Sequence, residues 1–537
     1  VTQAAKKASR SLSKWLAVTV VGLCVLTLFL VQKISYLSAA PGKDKECEPL
    51  YPNNISDKST TMALTETPFM WLQKGGVIND ASCVDQTSVY GVVAIESEKD
   101  IADALQFAQS SDLKASIAGV KHSMGGHAFA KGNLVLDMTR FNAIQINEER
   151  KTMTVQSGAT WHDIQTKIHP RYAVSAMQST DIFTVGGSIS VNAHGMDHTV
   201  GAIENSIVSL RVMLPDGTIK RLSRAENTEL YNLVVGGYGL FGVILDAELR
   251  LADNDLYESS RKIISYKDFP EFFKTQVQSD PNVGLTYTHL STVPNSSFLD
   301  EGIVYLYTKS EDAVPIEDIP PLGEVSSVSL RRFVMNLSKY GGLFQAMRWW
   351  SEKYIEPKME SCSISRNQAQ SSGEACLVAR NEPMHDSVPY LKNSLKKETD
   401  ILHEYFIPRD NLVAFIDGMR EIIIENGTNL LNASIRVVNK ERGMLTYAPE
   451  EAFSVVLYIN QKTDVAGHAA MKKVTSELID LAVKYKGRFF LPYQLHYTQE
   501  QLHESYPNID QFFALKRVYD PEEILTNTWY EKYGKTI

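Results

Sequence analysis

Residues 117–127 read I-A-G-V-K-H-S-M-G-G-H, a histidine and a serine set among glycines behind a short apolar segment. That segment, Ala115–Ala118, predicts a strand. Glycines placed after a strand permit a tight turn and leave main-chain amides open to an anion. Alone, the pattern also suits an ordinary surface turn. Two later glycine-rich segments tip the reading toward a ligand. Residues 179–198 read S-T-D-I-F-T-V-G-G-S-I-S-V-N-A-H-G-M-D-H, where Gly186, Gly187 and the small residues after them suggest backbone packed against a ligand, and Gly195 repeats the device. Gly237, Gly239 and Gly242 then spell G-x-G-x-x-G. A dinucleotide fingerprint of the NAD type must open a helix. Here it is followed by V-I-L-D-A-E-L-R-L, which alternates with period two and predicts a strand, so an NAD-binding fold is set aside.

The bulk properties frame this motif set. A chain of 537 residues has room for two or more domains. Hydrophobic content of 44% and charged content of 22% are those of a folded protein. A net charge of -9 leaves no basic excess to neutralise phosphates, which argues against a nucleic-acid partner. Lys6, Lys7, Arg10 and Lys14 precede an uncharged apolar run at 15–31, which predicts a signal anchor holding the catalytic part outside the cytoplasm. A cleaved signal ending near Ala39–Ala40, with secretion, is the alternative. No cysteine pair has metal-ligand spacing, and no metal site is expected. In an exported protein, Cys47–Cys83 and Cys362–Cys376 are plausible disulfides among three possible pairings.

In chain order, 1–40 is expected to be the anchor or signal segment, 41–76 a lead-in, 77–255 the first domain, 256–480 an inserted second domain, and 481–537 a return to the first. Val89–Ile95, Thr152–Val155 and Ile207–Leu214 predict strands, and Glu98–Ser110 and Trp161–Ile168 helices. In the second domain, Val283–His289, Gly302–Thr308, Ser434–Val438 and Phe453–Ile459 predict strands. Arg331–Glu352, Lys392–Glu404, Asn411–Glu425 and Val465–Tyr485 read as helices, although Gly341–Gly342 weakens the first. Gly487–Leu491 reads as a strand returning to the first domain, and the P-Y-Q-L-H-Y at 492–497 as its continuation.

Four segments in this order and spacing resemble the flavoprotein family of vanillyl-alcohol oxidase and p-cresol methylhydroxylase. They are G-V-K-H-S-M-G-G at 119–126, D-I-F-T-V-G-G-S-I-S-V-N-A-H-G at 181–195, G-G-Y-G-L-F-G-V-I at 236–244 and Y-D-P-E-E-I-L-T-N at 519–527. The resemblance covers about 77–255 and 487–527. It implies an α+β chain: a two-subdomain FAD-binding fold with an inserted α+β cap domain. Ala118, Gly119, Val120, Lys121, His122 and Ser123 would cradle the pyrophosphate, with Gly186, Gly187 and Ser190 opposite, Ala193 and Gly195 near the flavin, and Val243 meeting the adenosine half. Amides from a turn and a helix start suit such an anion. Relatives with G-H-S at this place carry FAD covalently on the histidine, which implies a tether at His122. This chain departs by placing Lys121 where a glycine usually stands.

The H-G-M-D-H at 194–198 is similar to that of the decaprenylphosphoryl-ribose oxidising enzymes, which however have an arginine at the place of His122 and a lysine at the place of Tyr493. The implied activity is oxidation of an alcohol-type substrate (sugar, polyol, lactone or lipid-linked) by hydride transfer to flavin N5. Reduction of a carbon–carbon double bond, or a non-catalytic flavin-binding or adhesion module, are the alternatives. Tyr493, His496, His194 and His198 are the candidates for handling the proton, and Arg488 is a candidate for anion recognition. In the aldonolactone branch a glycine before the histidine-glycine pair admits oxygen and an alanine hinders it. Ala193 therefore leans toward a dehydrogenase serving a quinone or redox protein, with an oxidase still open.

Overall fold

The computed structural model describes residues 27–40, 67–311, 315–355, 377–392 and 394–535. Its core is laid down by three sheets. In the first, Met70–Lys74, Gly91–Ala94, Leu134–Asp137 and Ala115–Ala118 lie side by side, the last three parallel. Glu98–Ser110 makes the crossover. Its start is fixed by a capping box between Ser97 and Asp100, and it buries Ile101, Ala104, Leu105 and Ala108, one side of a 3.6-residue repeat. The second sheet is antiparallel and runs Ile219–Leu222, Ile207–Met213, Val243–Asp253, Thr152–Gln156, Ile144–Asn147. Val243–Asp253 follows Gly242 directly, so the G-x-G-x-x-G enters a strand and not a helix.

The third sheet forms the cap. It has eight strands in the order Leu377–Ala379, Leu256–Ser265, Glu301–Lys309, Val283–Leu290, Asn429–Val438, Ala452–Lys462, Glu398–Pro408, Arg488–Phe489. Leu412–Glu425 and Val465–Lys484 pack beside it, and Val328–Ser338 and Gly342–Tyr354 are two helices where one interrupted helix was expected.

Several expectations fail for physical reasons. Lys392–Glu404 does not form a helix; Glu398–Pro408 is a strand held between two neighbours. Nine of its eleven residues are buried, on both faces, and such a run shows neither the period of two nor that of 3.6. Arg488–Phe489 pairs with Tyr405 and Phe406 and so extends the cap sheet, not the first domain. Residues 492–497 are irregular. The return to the FAD side comes later, where Ala115 bridges Leu525 and Asn527 Nδ2 donates to Tyr238 O at 3.0 Å.

The expected membrane span at 15–31 falls mostly outside the described residues. Residues 27–38 are helical, and the end of this helix is pinned by Asn336 Nδ2 donating to Leu37 O at 2.8 Å and Arg332 Nη1 donating to Ser38 O at 3.2 Å. Among the described residues no helix is long and apolar enough to cross a membrane. This overturns the expected membrane partner and membrane-anchored location. Cys83 is disulfide-bonded, while Cys24, Cys47, Cys362 and Cys376 lie outside the described residues, so both expected pairings do too.

Candidate active site

A cavity of about 1380 Å³ lies between the first two sheets and the cap. Its first wall is main chain at the end of the strand Ala115–Ala118. Ala118, Gly119, Val120, Lys121, His122 and Ser123 line it, and Gly186, Gly187, Ser190 and Ala193 face the same space. The loop is tied from behind by Asp80, a buried carboxylate that accepts from the amides of Gly125 at 2.8 Å and Gly126 at 2.7 Å. Ser157 Oγ and Ser179 Oγ are buried in this wall and have no hydrogen-bond partner among the described residues. Every carboxylate in the lining comes from the cap: Glu352, Asp386, Glu398, Asp400 and Glu404. A wall of amides and unpartnered hydroxyls, free of negative charge, fits the pyrophosphate of FAD.

Lys121 explains its own departure from the motif. Its φ is +61°, the left-handed region where glycine is at ease, and its Nζ bonds Asp137 Oδ2 at 2.7 Å. His122 lines the cavity with its ring edge-on to Phe183 at 5.6 Å. Burial, with the Lys392 cation adding to it, lowers its pKa to about 4, so the imidazole is neutral at pH 7.

At the cap wall, His194 and Tyr493 meet a residue the sequence reading passed over. His194 Nε2 lies 2.6 Å from Glu404 Oε1, and Tyr493 Oη donates to Glu404 Oε2 at 3.4 Å. Ser454 Oγ donates to Oε1 at 2.5 Å. Burial pushes the Glu404 carboxyl upward, but contact with His194, the Ser454 hydroxyl and the Arg436 cation outweigh it and hold it below its ordinary range. Burial, then the neighbouring Glu404, pushes the Tyr493 phenol well above 10. Arg436 also lines the cavity, and its buried Nε has no hydrogen-bond partner among the described residues. Beyond it, Tyr287 stacks on Tyr305 at 4.4 Å, and His289 Nδ1 lies 2.6 Å from Glu352 Oε1. Glu404 and Arg436 had one signal in the sequence: each is a single charge inside an otherwise apolar strand, I-L-H-E-Y-F at 401–406 and S-I-R-V-V at 434–438.

Other candidates lie elsewhere. His198 Nε2 is 2.6 Å from Val283 O, against Phe273, and does not line the cavity. His496 also lies outside the lining, beside His468 at 4.8 Å, and burial with nearby cationic groups lowers it to about 3. Arg488 is spent on Thr446 O. Val243 is fully buried opposite Met213, between Gly242 and Ile244, which do line the cavity. Gly195 is set back from the lining, packed against Met177 O.

Two family models match: an FAD binding domain over residues 89–223, and D-arabinono-1,4-lactone oxidase over 333–533. The first covers the main-chain wall, the second most of the cap and the tail. With the relatives below, these matches make the chain an FAD-linked oxidoreductase of the vanillyl-alcohol oxidase and p-cresol methylhydroxylase type. It is thus an FAD-dependent oxidoreductase acting on CH–OH groups. The chain is 29% identical to cytokinin dehydrogenase 2 of Arabidopsis thaliana, over 81% of this chain and 87% of that one. It is 28% identical to decaprenylphosphoryl-beta-D-ribose oxidase of Mycolicibacterium smegmatis, over 82% and 94%. Some other curated relatives align over less than half of their own length. A solved structure of a solvent-stable cholesterol oxidase shares the fold, with a TM-score of 0.64 at 15% identity over 86% of this chain and 98% of that one. In this chain the cap is inserted between the FAD-binding sheets and the tail that returns to them.

Proposed function

We propose that the chain oxidises a polyhydroxylated substrate of the sugar or aldonolactone kind, with Glu404 accepting the hydroxyl proton. The observation that carries this is the convergence of His194, Tyr493 and Glu404 where the two walls meet. When bound, FAD supplies the two-electron acceptor, taking hydride at N5. The proton left behind needs a base within hydrogen-bond reach, and Glu404 is held ionised for that purpose. Tyr493 stays protonated and donates to the carboxylate, while His194 and Ser454 fix its other oxygen. Arg436 is the cation placed to favour negative charge developing on the substrate oxygen. The lining supplies Tyr287, His289, Asn432, Ser434 and Glu352, a set of donors and acceptors suited to several hydroxyls. The lactone oxidase match over the cap supports the same substrate class.

The same reading gives His122 the role of covalent FAD tether, because a neutral imidazole in the cavity has a nucleophilic nitrogen. Ala193, buried beside His194, favours a quinone or redox protein over oxygen as electron acceptor. The test is anaerobic flavin reduction, first across sugars, aldonolactones and polyols, then with Glu404→Gln on the best substrate. The variant is expected to keep its flavin spectrum and to lose about 10²–10⁴-fold in reduction rate. A rate within a few-fold of the parent's would refute Glu404 as the base. Yellow colour that stays with acid-precipitated protein, and is lost in His122→Ala, checks the tether.

A further inference from the structure

A second cluster of titratable groups lies near the rim of the cavity, away from Glu404. His162 stands on the helix Trp161–Ile168 of the FAD side. Glu324 and His385 come from the cap, two residues before Ser326 and one before Asp386, which both line the cavity. One ligand atom from each of the three lies within 4.8 Å of the others. Glu324 Oε1 is 3.3 Å from His162 Nε2 and 4.0 Å from His385 Nε2. The two rings stack at 4.7 Å with 17° between their planes.

What lies behind the rings decides how these atoms can be used. Asp181, which is 0% exposed, places Oδ2 at 2.9 Å from His162 Nδ1 and 3.0 Å from His385 Nδ1. Ser387 Oγ donates to its other oxygen at 2.8 Å. Gln165 Oε1 also faces His385 Nδ1 at 3.1 Å, its amide turned by a bond from Nε2 to Asn381 O. A carboxylate can only accept, so both rings carry their proton on Nδ1. In the neutral imidazoles both Nε2 atoms then present a lone pair toward Glu324, so that three ligand atoms converge. Metal-ligating histidines are held in this way, each giving its second N–H to a carboxylate.

We infer that His162, His385 and Glu324 form a binding site for a divalent transition ion of the zinc type, with Asp181 orienting both histidines. An ion bonded at about 2.0–2.2 Å to each ligand in tetrahedral geometry holds them about 3.3–3.6 Å apart, the separation of Glu324 from His162 already and a small side-chain shift from the 4.0 Å to His385. Two imidazoles with one carboxylate select zinc, nickel or copper over calcium or magnesium. Three protein ligands leave a fourth position for water. One ligand belongs to the FAD side and two to the cap, so the ion ties the cap to the FAD domain beside the cavity rim. The three positions are scattered over 162–385, and no spacing in the sequence marks them.

The test uses the full, tag-free holoprotein after chelator treatment. Titration with Zn²⁺ in a calorimeter is expected to show one saturable site, with Ca²⁺ and Mg²⁺ giving none at the same concentrations. His162→Ala and Glu324→Gln, both at partly exposed positions, are expected to weaken Zn²⁺ binding at least tenfold. Asp181→Asn is expected to weaken it about 10–100-fold by loosening the rings. One equivalent of Zn²⁺ should raise the melting temperature of the parent and leave that of His162→Ala unmoved. The proposal fails if the parent shows no saturable site at millimolar Zn²⁺, which would leave an imidazolium–carboxylate bridge. It fails equally if His162→Ala and Glu324→Gln bind as tightly as the parent.

Discussion

The FAD side of the cavity is built from main chain, and the cap side from side chains. From Ala118 to Ser123 and from Gly186 to Ala193, the ring of His122 and the Lys121 chain apart, the residues that face the cavity are glycines and residues with small side chains. From Glu352 through Glu404 to Arg436, it is charged side chains, Glu352 on a helix and Glu404 and Arg436 on strands. A main-chain surface depends on torsion angles and on space kept free of a Cβ, so a substitution there acts through folding and cofactor uptake. A side-chain surface depends on how buried charges are paired, so a substitution there changes chemistry while the fold persists. Glu404→Gln, with its large rate loss and retained flavin, is the extreme expected of the second side.

The extreme expected of the first side is Gly195→Ala. A Cβ at Gly195 would sit 1.9 Å from Met177 O, a main-chain atom that cannot swing aside. The substitution is expected to destabilise by about 3 kcal/mol or more and to lower flavin content. Gly323→Ala is the control, since nothing lies within 4 Å of its Cβ position. Melting temperature and the flavin-to-protein absorbance ratio check both. If Gly195→Ala kept the parent's values, the distinction between the two walls would break.

An intermediate effect asks whether the two sides are equally dry. Burial lowers His127, behind the FAD loop, and His403, under the cap, to about 4 each. In the unfolded chain such a group titrates near 6.5. The folded value is the lower one, so between about pH 6.5 and pH 4 the unfolded chain binds more protons. Stability is then lost as pH falls through that window, by up to about 1.4 kcal/mol per pH unit for each histidine. Melting temperatures at pH 7.5, 6 and 5 measure the slope. His127→Gln and His403→Gln are each expected to flatten it. Equal flattening means equal dryness, and a smaller effect at His127 would mean that water reaches the main-chain side.

The same division explains what could be read in advance. The FAD wall is local: its turns require glycine or small residues in a fixed order, and those residues are adjacent in the chain. Gly186, Gly187 and the strand after Gly242 were therefore readable from sequence. The proposed catalytic end of the cap is assembled from Glu404, Arg436 and Tyr493, which pairing in one sheet and an irregular segment after it bring together. Glu404 was hidden twice. It lies in a strand buried on both faces, which imitates a helix in its apolar count, and its partner His194 is 210 residues away. His496 misled for the converse reason. Residues 492–497 read as a strand, on which Tyr493 and His496 would face opposite sides, but the segment is irregular and turns His496 toward His468.

The smallest expected effect is at Lys121, where two terms of opposite sign meet. Replacing it with glycine relieves a left-handed backbone, which costs a non-glycine residue about 1–2 kcal/mol. The same change removes the bond from Lys121 to Asp137 and adds freedom to the unfolded chain, each worth about 1 kcal/mol or less. Lys121→Gly should therefore shift stability by no more than about 1 kcal/mol and keep the flavin. Lys121→Ala keeps the strain and loses the bond, so it should melt below both. Comparing the three melting temperatures and flavin contents tests whether position 121 belongs to the main-chain wall by its torsion angle alone. Flavin loss in Lys121→Gly, with stability unchanged, would instead assign the cofactor a contact with the lysine charge and make this one position of the FAD wall a side-chain site.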